Sequence, residues 1–220
     1  MELAQLYANR FSAEERAAKA RFWQILYDDF LARYIRPDDS VLDLAAGNCE
    51  FINRVRCRRR IAVDANPDAA AAAAPGVEFI HARSIDLGAV GPASIDVVFV
   101  SNFFEHLPTK ADLLTTLAEI RRLLRPGGRV LILQPNIRLI PGAYWDFIDH
   151  HLPLSDRSLV EALEMSGLRP VEVRARFLPY TTKSRLPKAT WLLRLYLRLR
   201  PAQWLFGKQT WVVAERPAEP

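Results

Sequence analysis

Val41 to Glu50 reads Val-Leu-Asp-Leu-Ala-Ala-Gly-Asn-Cys-Glu, and Ile61 to Pro67 reads Ile-Ala-Val-Asp-Ala-Asn-Pro. The first stretch is an apolar strand running into a tight turn of small residues. The second is another apolar strand that ends in an acid, Asp64, about twenty residues after Asp43. An open parallel sheet binds an adenosine ribose in this way. The turn lets the main chain approach the ligand, and the carboxylate accepts from the sugar hydroxyls.

The turn excludes the commonest adenosine cofactors. A dinucleotide fingerprint needs glycines spaced G-x-G-x-x-G, whereas here only Gly47 remains, Ala45 takes the first position and Glu50 stands at the third. A carboxylate at the start of a helix repels the phosphate that such a site attracts. No Lys-Ser or Lys-Thr pair follows, which excludes a P-loop. A nicotinamide-dependent oxidoreductase is disfavoured on the same grounds. An adenosine cofactor without phosphate fits, and S-adenosylmethionine is that molecule.

Four motifs in order carry a resemblance. Asp43 to Cys49 is similar to the pattern D-x-G-x-G-x-G, and Asp64 closes the second strand. Ser-Asn-Phe-Phe-Glu-His-Leu occupies Ser101 to Leu107 after the fourth strand, and Leu-Arg-Pro-Gly-Gly-Arg spans Leu124 to Arg129 before the fifth. Over Ser40 to Gln134 the chain resembles a class I S-adenosylmethionine-dependent methyltransferase, departing from it at Ala45, Cys49 and Arg83. The resemblance implies an α/β fold: a Rossmann-like, seven-stranded, mainly parallel sheet with helices on both faces and an antiparallel last strand. It also implies an enzyme whose cofactor is S-adenosyl-L-methionine. A subunit that holds the cofactor without turnover is the competing expectation.

At 220 residues the chain suits a single domain with a substantial core. Two cysteines, Cys49 and Cys57, are too few for a disulfide framework and lack metal-ligand spacing, which points to a reduced, cytoplasmic setting. The charged first thirty-odd residues do not read as a secretory signal. No apolar run approaches the ~20 residues of a membrane span.

Residues 1–36 read as an N-terminal helical cap, with Leu3, Leu6, Tyr7, Phe11, Phe22, Ile25, Leu26 and Phe30 at helical intervals and a capping box at Ser12 and Glu15. Strands are expected at Val41–Leu44, Ile61–Val63, Val77–His81, Ile95–Val100, Val130–Leu133, Val171–Leu178 and Gln209–Glu215. Helices are expected from the first turn through Val55, at Ala69–Ala74, at Lys110–Leu124, and from a cap at Ser155 or Asp156 through Met165. A basic-aromatic insert, residues 179–208, separates the last two strands.

Ligands of an open parallel sheet gather at the carboxyl ends of its strands. Asp43, Ala45, Gly47, Asp64, Ala65, Ser84, Ser101 and Asn102 fall along that edge and are the candidate cofactor residues, Asp43 as organiser of the turn. Methyl transfer to an alcohol also needs a base, and histidine suits that task near neutral pH. His106, His150 and His151 are the candidates, with Glu105, Asp146 and Asp149 as orienting carboxylates. A histidine–aspartate metal site has no diagnostic spacing here, so no metal is expected. Aromatic-rich Pro135–Pro153 reads as a lid over the acceptor. The insert interleaves Lys183, Arg185, Lys188, Arg194, Arg198, Arg200 and Lys208 with Trp191, Tyr196, Trp204 and leucines. That pattern suits peripheral contact with the inner membrane surface, or a helix docked on the domain with a solvated basic face. Nucleic acid is disfavoured, because no basic stripe or known module is present. The expected partner is a small-molecule, sugar or lipid-linked acceptor, methylated on oxygen; sequence leaves the oligomeric state open.

Overall fold

The computed structural model describes residues 13–180 and 190–218. Strands β1 (Ser40–Leu44), β2 (Arg59–Asp64), β3 (Val77–His81), β4 (Ile95–Ser101), β5 (Leu124–Pro135), β6 (Arg169–Arg174) and β7 (Gln209–Glu215) form one sheet. Its order is β3-β2-β1-β4-β5-β7-β6. The pairings among β1 to β5 are parallel, and β7 runs antiparallel to both β5 and β6. The expected fold class is therefore the observed one. The strand order reverses between β1 and β4, and a crevice at such a switch point is where an α/β sheet binds its ligand.

Successive strand residues face opposite sides, so the central strands must be apolar throughout. Val98, Val100, Val130, Ile132 and Val212 pack on one side against α2 (Lys110–Leu123) and α3 (Asp156–Met165). Val97, Phe99, Leu131, Leu133 and Trp211 pack on the other against α1 (Ala13–Asp29) and α4 (Thr190–Arg198). A last short helix, α5 (Arg200–Phe206), leads into β7. Trp23, Leu26, Tyr27 and Phe30 supply the helical stripe that covers the second side. The Phe30 ring lies 4.3 Å from that of Phe177 and 5.1 Å from Trp211, while Trp23 meets Phe99 edge-on at 6.0 Å. Each such pair adds about 0.5–1.5 kcal/mol beyond area burial. Asp29 faces Arg194 at 3.3 Å and Arg198 at 3.7 Å, tying α4 to α1.

Several expected elements are corrected. The helix expected after β1 is instead a run of turns with a short 3-10 segment, Ile52–Arg54. Cys49 sits at φ +55°, a left-handed conformation that no helix continues through, and the Asn53 side chain bridges away to Ala72 and Ala74. Pro67–Ala72 is likewise a 3-10 helix. Strand β5 is longer than expected because Leu124 already pairs with Ile95, before a register shift brings Arg129 beside Val97. Gly128 permits that crossing: a Cβ there would meet the Arg125 carbonyl oxygen at 2.9 Å and that of Asp96 at 3.1 Å. Strand β6 stops at Arg174, so Ala175–Leu178 is a connector and not strand. Ser155 caps α3 in a reciprocal box with Ser158. The apolar positions Leu3, Leu6, Tyr7 and Phe11, the Ser12 cap and the basic residues Lys183, Arg185 and Lys188 lie outside the described residues.

Candidate active site

Strand β1 delivers its chain into the turn Ala45–Glu50. All three motif positions are left-handed, although only one is glycine: Ala45 has φ +58°, Gly47 +51° and Cys49 +55°. A non-glycine residue held there costs roughly 1–2 kcal/mol. Ala45→Gly is expected to recover about 0.5–1 kcal/mol in denaturant unfolding, the strain relieved outweighing the entropy of a looser unfolded chain. Cys49→Gly should show no such gain, because the Cys49 side chain is fully buried and its packing would be lost.

Carboxylates hold the turn. Asp64 accepts from the Gly47 amide through Oδ2 at 2.7 Å and from the Asn66 amide through Oδ1 at 2.8 Å. Asp43 is buried and accepts from the Ile52 amide, just past the turn. Burial, followed by the nearby charges of Glu50 and Asp64, pushes the Asp43 carboxyl well above the usual range. Burial and the same acids raise the Cys49 thiol to about 12, which makes it an inert packing group. Glu50 is paired with Lys19 of α1 at 2.8 Å. Of the three acids only Asp64 is both partly exposed and without an ion-pair partner among the described residues, and a carboxylate beside the open Gly47 suits a cationic sulfonium nucleoside and opposes a phosphate. Gly47 is exposed and a Cβ there would meet nothing within 4 Å, so the surface above it is open to a ligand.

The remaining cofactor candidates diverge. Ala65 is exposed beside Asp64, and its carbonyl oxygen lies 3.0 Å from His81 Nε2. Ser101 and Asn102 stand together at the end of β4, the Asn102 amide group donating to Ser101 Oγ at 3.0 Å, with Asn102 at φ +47°. Ser84 turns away: its hydroxyl is buried and bonded to Thr116 of α2 at 2.8 Å. That side chain anchors a helix and does not line the crevice.

Beyond β4 the structure assembles a second polar group. The segment 135–153 folds back so that the amides of His151 and Leu152 both donate to the Glu105 carbonyl oxygen, at 2.8 and 3.1 Å. This brings the His106 and His150 rings to 5.0 Å, edge to face. His106 donates from Nδ1 to the Asp149 carbonyl oxygen at 2.9 Å, with the Asp149 carboxylate 3.5 Å away. His150 donates from Nδ1 to the Tyr144 carbonyl oxygen at 2.8 Å and stacks on Phe147. In a neutral imidazole each of these bonds leaves Nε2 as the accepting nitrogen. His151 does not join them; its side chain is exposed.

The sequence marks Glu105 only as an orienting group and carries no signal for Gln134. Glu105 is 1% exposed and accepts from Gln134 Nε2 at 2.8 Å. Burial pushes its carboxyl up, an effect that His106 and Gln134 partly oppose. The expected lid is half anchor and half exposed surface. Tyr144 is fully buried, and its hydroxyl donates to the Leu152 carbonyl, while Trp145 and Ile148 are exposed. The strap thus fixes the histidines from beneath and presents apolar groups outward.

Comparison with known proteins matches residues 42–132 to a family described as a methyltransferase domain. A demethylmenaquinone methyltransferase from Symbiobacterium thermophilum is 27% identical over 198 residues, covering 80% of this chain and 76% of the relative. Two solved structures share the fold. An S-adenosylmethionine-dependent methyltransferase from Archaeoglobus fulgidus is similar with a TM-score of 0.69 at 20% identity, covering 97% of this chain and 100% of the other. Geranyl diphosphate C-methyltransferase from Streptomyces coelicolor, solved with Mg2+, geranyl diphosphate and S-adenosyl-L-homocysteine, gives 0.62 at 17% identity over 92% and 80%.

Proposed function

We propose that the chain, whose residues 42–132 match a methyltransferase-domain family, is a class I S-adenosylmethionine-dependent methyltransferase that methylates an oxygen of a small-molecule or lipid-linked acceptor. The acceptor hydroxyl sits against Glu105, His106 and His150. In the transfer its oxygen attacks the sulfonium methyl carbon, the C–S bond breaks to leave S-adenosylhomocysteine, and the hydroxyl proton passes to the histidine pair. Positive charge disperses as this proceeds, so position and dryness supply much of the rate. The observation that carries the reading is the pair of imidazoles, each held by a main-chain carbonyl at Nδ1 so that Nε2 accepts. Asp64 takes the ribose diol, Gly47 admits the main chain to the cofactor, and Ser101 and Asn102 line its methionine end.

A lipid-linked acceptor is favoured by the exposed face of α4 and α5. Trp191, Leu195, Leu199, Trp204, Leu205 and Phe206 are between 43% and 70% exposed, alongside Arg200 and the exposed Arg194 and Arg198 that also reach Asp29. Tryptophan and leucine beside arginine is the composition of a helix resting on an anionic bilayer. No helix among the described residues is long and apolar enough to cross a membrane, so the contact proposed is peripheral. The demethylmenaquinone methyltransferase relative, named for a small-molecule acceptor, is in keeping with the small-molecule part of this reading.

Mass spectrometry of candidate hydroxyl acceptors incubated with methyl-labelled cofactor tests the reaction, and label on oxygen is the expected result. Label on carbon or nitrogen alone would overturn the oxygen assignment. Flotation with anionic vesicles tests the surface. Binding should fall with added salt and with Trp204→Ser and Phe206→Ser together, and no binding at low salt would leave α4 and α5 a packing element.

A further inference from the structure

We propose that Glu105, His106 and His150 form a binding site for a first-row divalent cation of the Zn2+ type. The inference rests on the reading that this cluster faces the acceptor, and it assigns the cluster an occupant that sequence spacing did not suggest. One ligand atom from each residue lies within 4.8 Å of the others. Ligands about 2.0–2.2 Å from a shared Zn2+ stand some 3–4 Å apart, so small side-chain rotations close the set.

The surroundings are those of ligands. Metal-binding histidines donate their second ring nitrogen to a carbonyl or carboxylate, which fixes the tautomer and aims the accepting nitrogen. His106 does so to Asp149, and His150 does so to the Tyr144 carbonyl. Glu105 is buried, and among the described residues no lysine or arginine is shown paired with it. A second observation is independent of the three. Gln134, 1% exposed, spends its amide nitrogen on Glu105, while its Oε1 is buried with no hydrogen-bond partner among the described residues. The hydroxyl of Tyr180, whose ring meets Phe147 of the strap edge-on, is likewise buried without such a partner. A buried acceptor left unpaired is costly, and a cation or a water bound to one would satisfy it.

Two imidazoles and a carboxylate leave one position open on a four-coordinate Zn2+. An acceptor hydroxyl in that position would be acidified by the cation and would lose its proton to water, and His106 would serve as ligand where the bare cluster would use it as base.

Tag-free chain stripped with chelator and titrated with Zn2+ and with Co2+ alone tests this. A single tight site per chain is expected, with a Co2+ visible spectrum free of thiolate bands. Glu105→Gln and His150→Gln should each weaken Zn2+ binding roughly 100-fold or more, with S-adenosylhomocysteine binding retained as proof of folding. Absence of a site, or equal affinity in the folded variants, overturns the cation proposal. The two readings fail separately. Turnover that depends on His106 but needs no cation leaves the methyl-transfer reading standing without the metal. A tight site in a chain that methylates no hydroxyl does the reverse.

Discussion

His106→Ala is expected to lower methyl transfer about 10²- to 10⁴-fold, the usual contribution of a positioned proton acceptor, while S-adenosylhomocysteine binds as before. The geometry explains the separation. His106 follows β4 on a 3-10 turn, Phe104–His106, and its ring is held by Asp149 of the strap. The carboxylates that shape the cofactor turn, Asp43 and Asp64, belong to β1 and β2. Removing the imidazole therefore alters the histidine cluster without touching the turn. His151→Ala supplies the contrast: its side chain is exposed, and only its amide holds the strap to Glu105. Turnover close to wild type is expected there. Equal losses in the two variants, measured under saturating cofactor, would remove the assignment of His106.

Asp64→Ala should weaken S-adenosylhomocysteine binding by about 1–3 kcal/mol, the range for losing a hydrogen bond to a charged group and leaving its partners unmet. Asp64 carries two loads at once. Its oxygens already accept the amides of Gly47 and Asn66, and a carboxylate has lone pairs left for a sugar diol. Part of the loss therefore comes through the turn, which slackens when the Gly47 amide is released. Asp64→Asn separates the two, because one carbonyl oxygen can still hold Gly47 while the charge is gone. Calorimetric titration should rank wild type above Asn and Asn above Ala. Unchanged affinity in the Ala variant would mean that the ribose is held elsewhere.

The fold was largely legible because its signals are local. Val97 to Val100 and Val130 to Leu133 are apolar at every position, as only strands covered on both sides need be, and β3 and β7 span the residues expected of them. The errors arose where tertiary contacts override local pattern. Phe177 and Leu178 look like strand residues, yet their burial comes from Phe30, Trp211 and α4, so apolar content without ladder pairing misled. After β1, the alternate left-handed positions Ala45, Gly47 and Cys49 fall where the motif places glycines, and they break the helix that the apolar pattern through Val55 suggests. The site divided the same way. Gly47 and Asp64 sit in a recognisable motif. The meeting of Glu105 and His106 with His150 joins residues more than forty positions apart, and depends on amides that carry no side-chain signature. Ser84 showed the converse: a hydroxyl at the right strand end, spent on Thr116.

The partnership of Phe30 with Trp211 sets the order in which the molecule can be completed. A ribosome releases α1 well before β7. Between those two moments the stripe from Trp23 to Phe30 has no β7 to close over it. Its final packing is necessarily a late event of biogenesis, and a transcript cut short before Trp211 would yield a polypeptide with a sticky, half-roofed face.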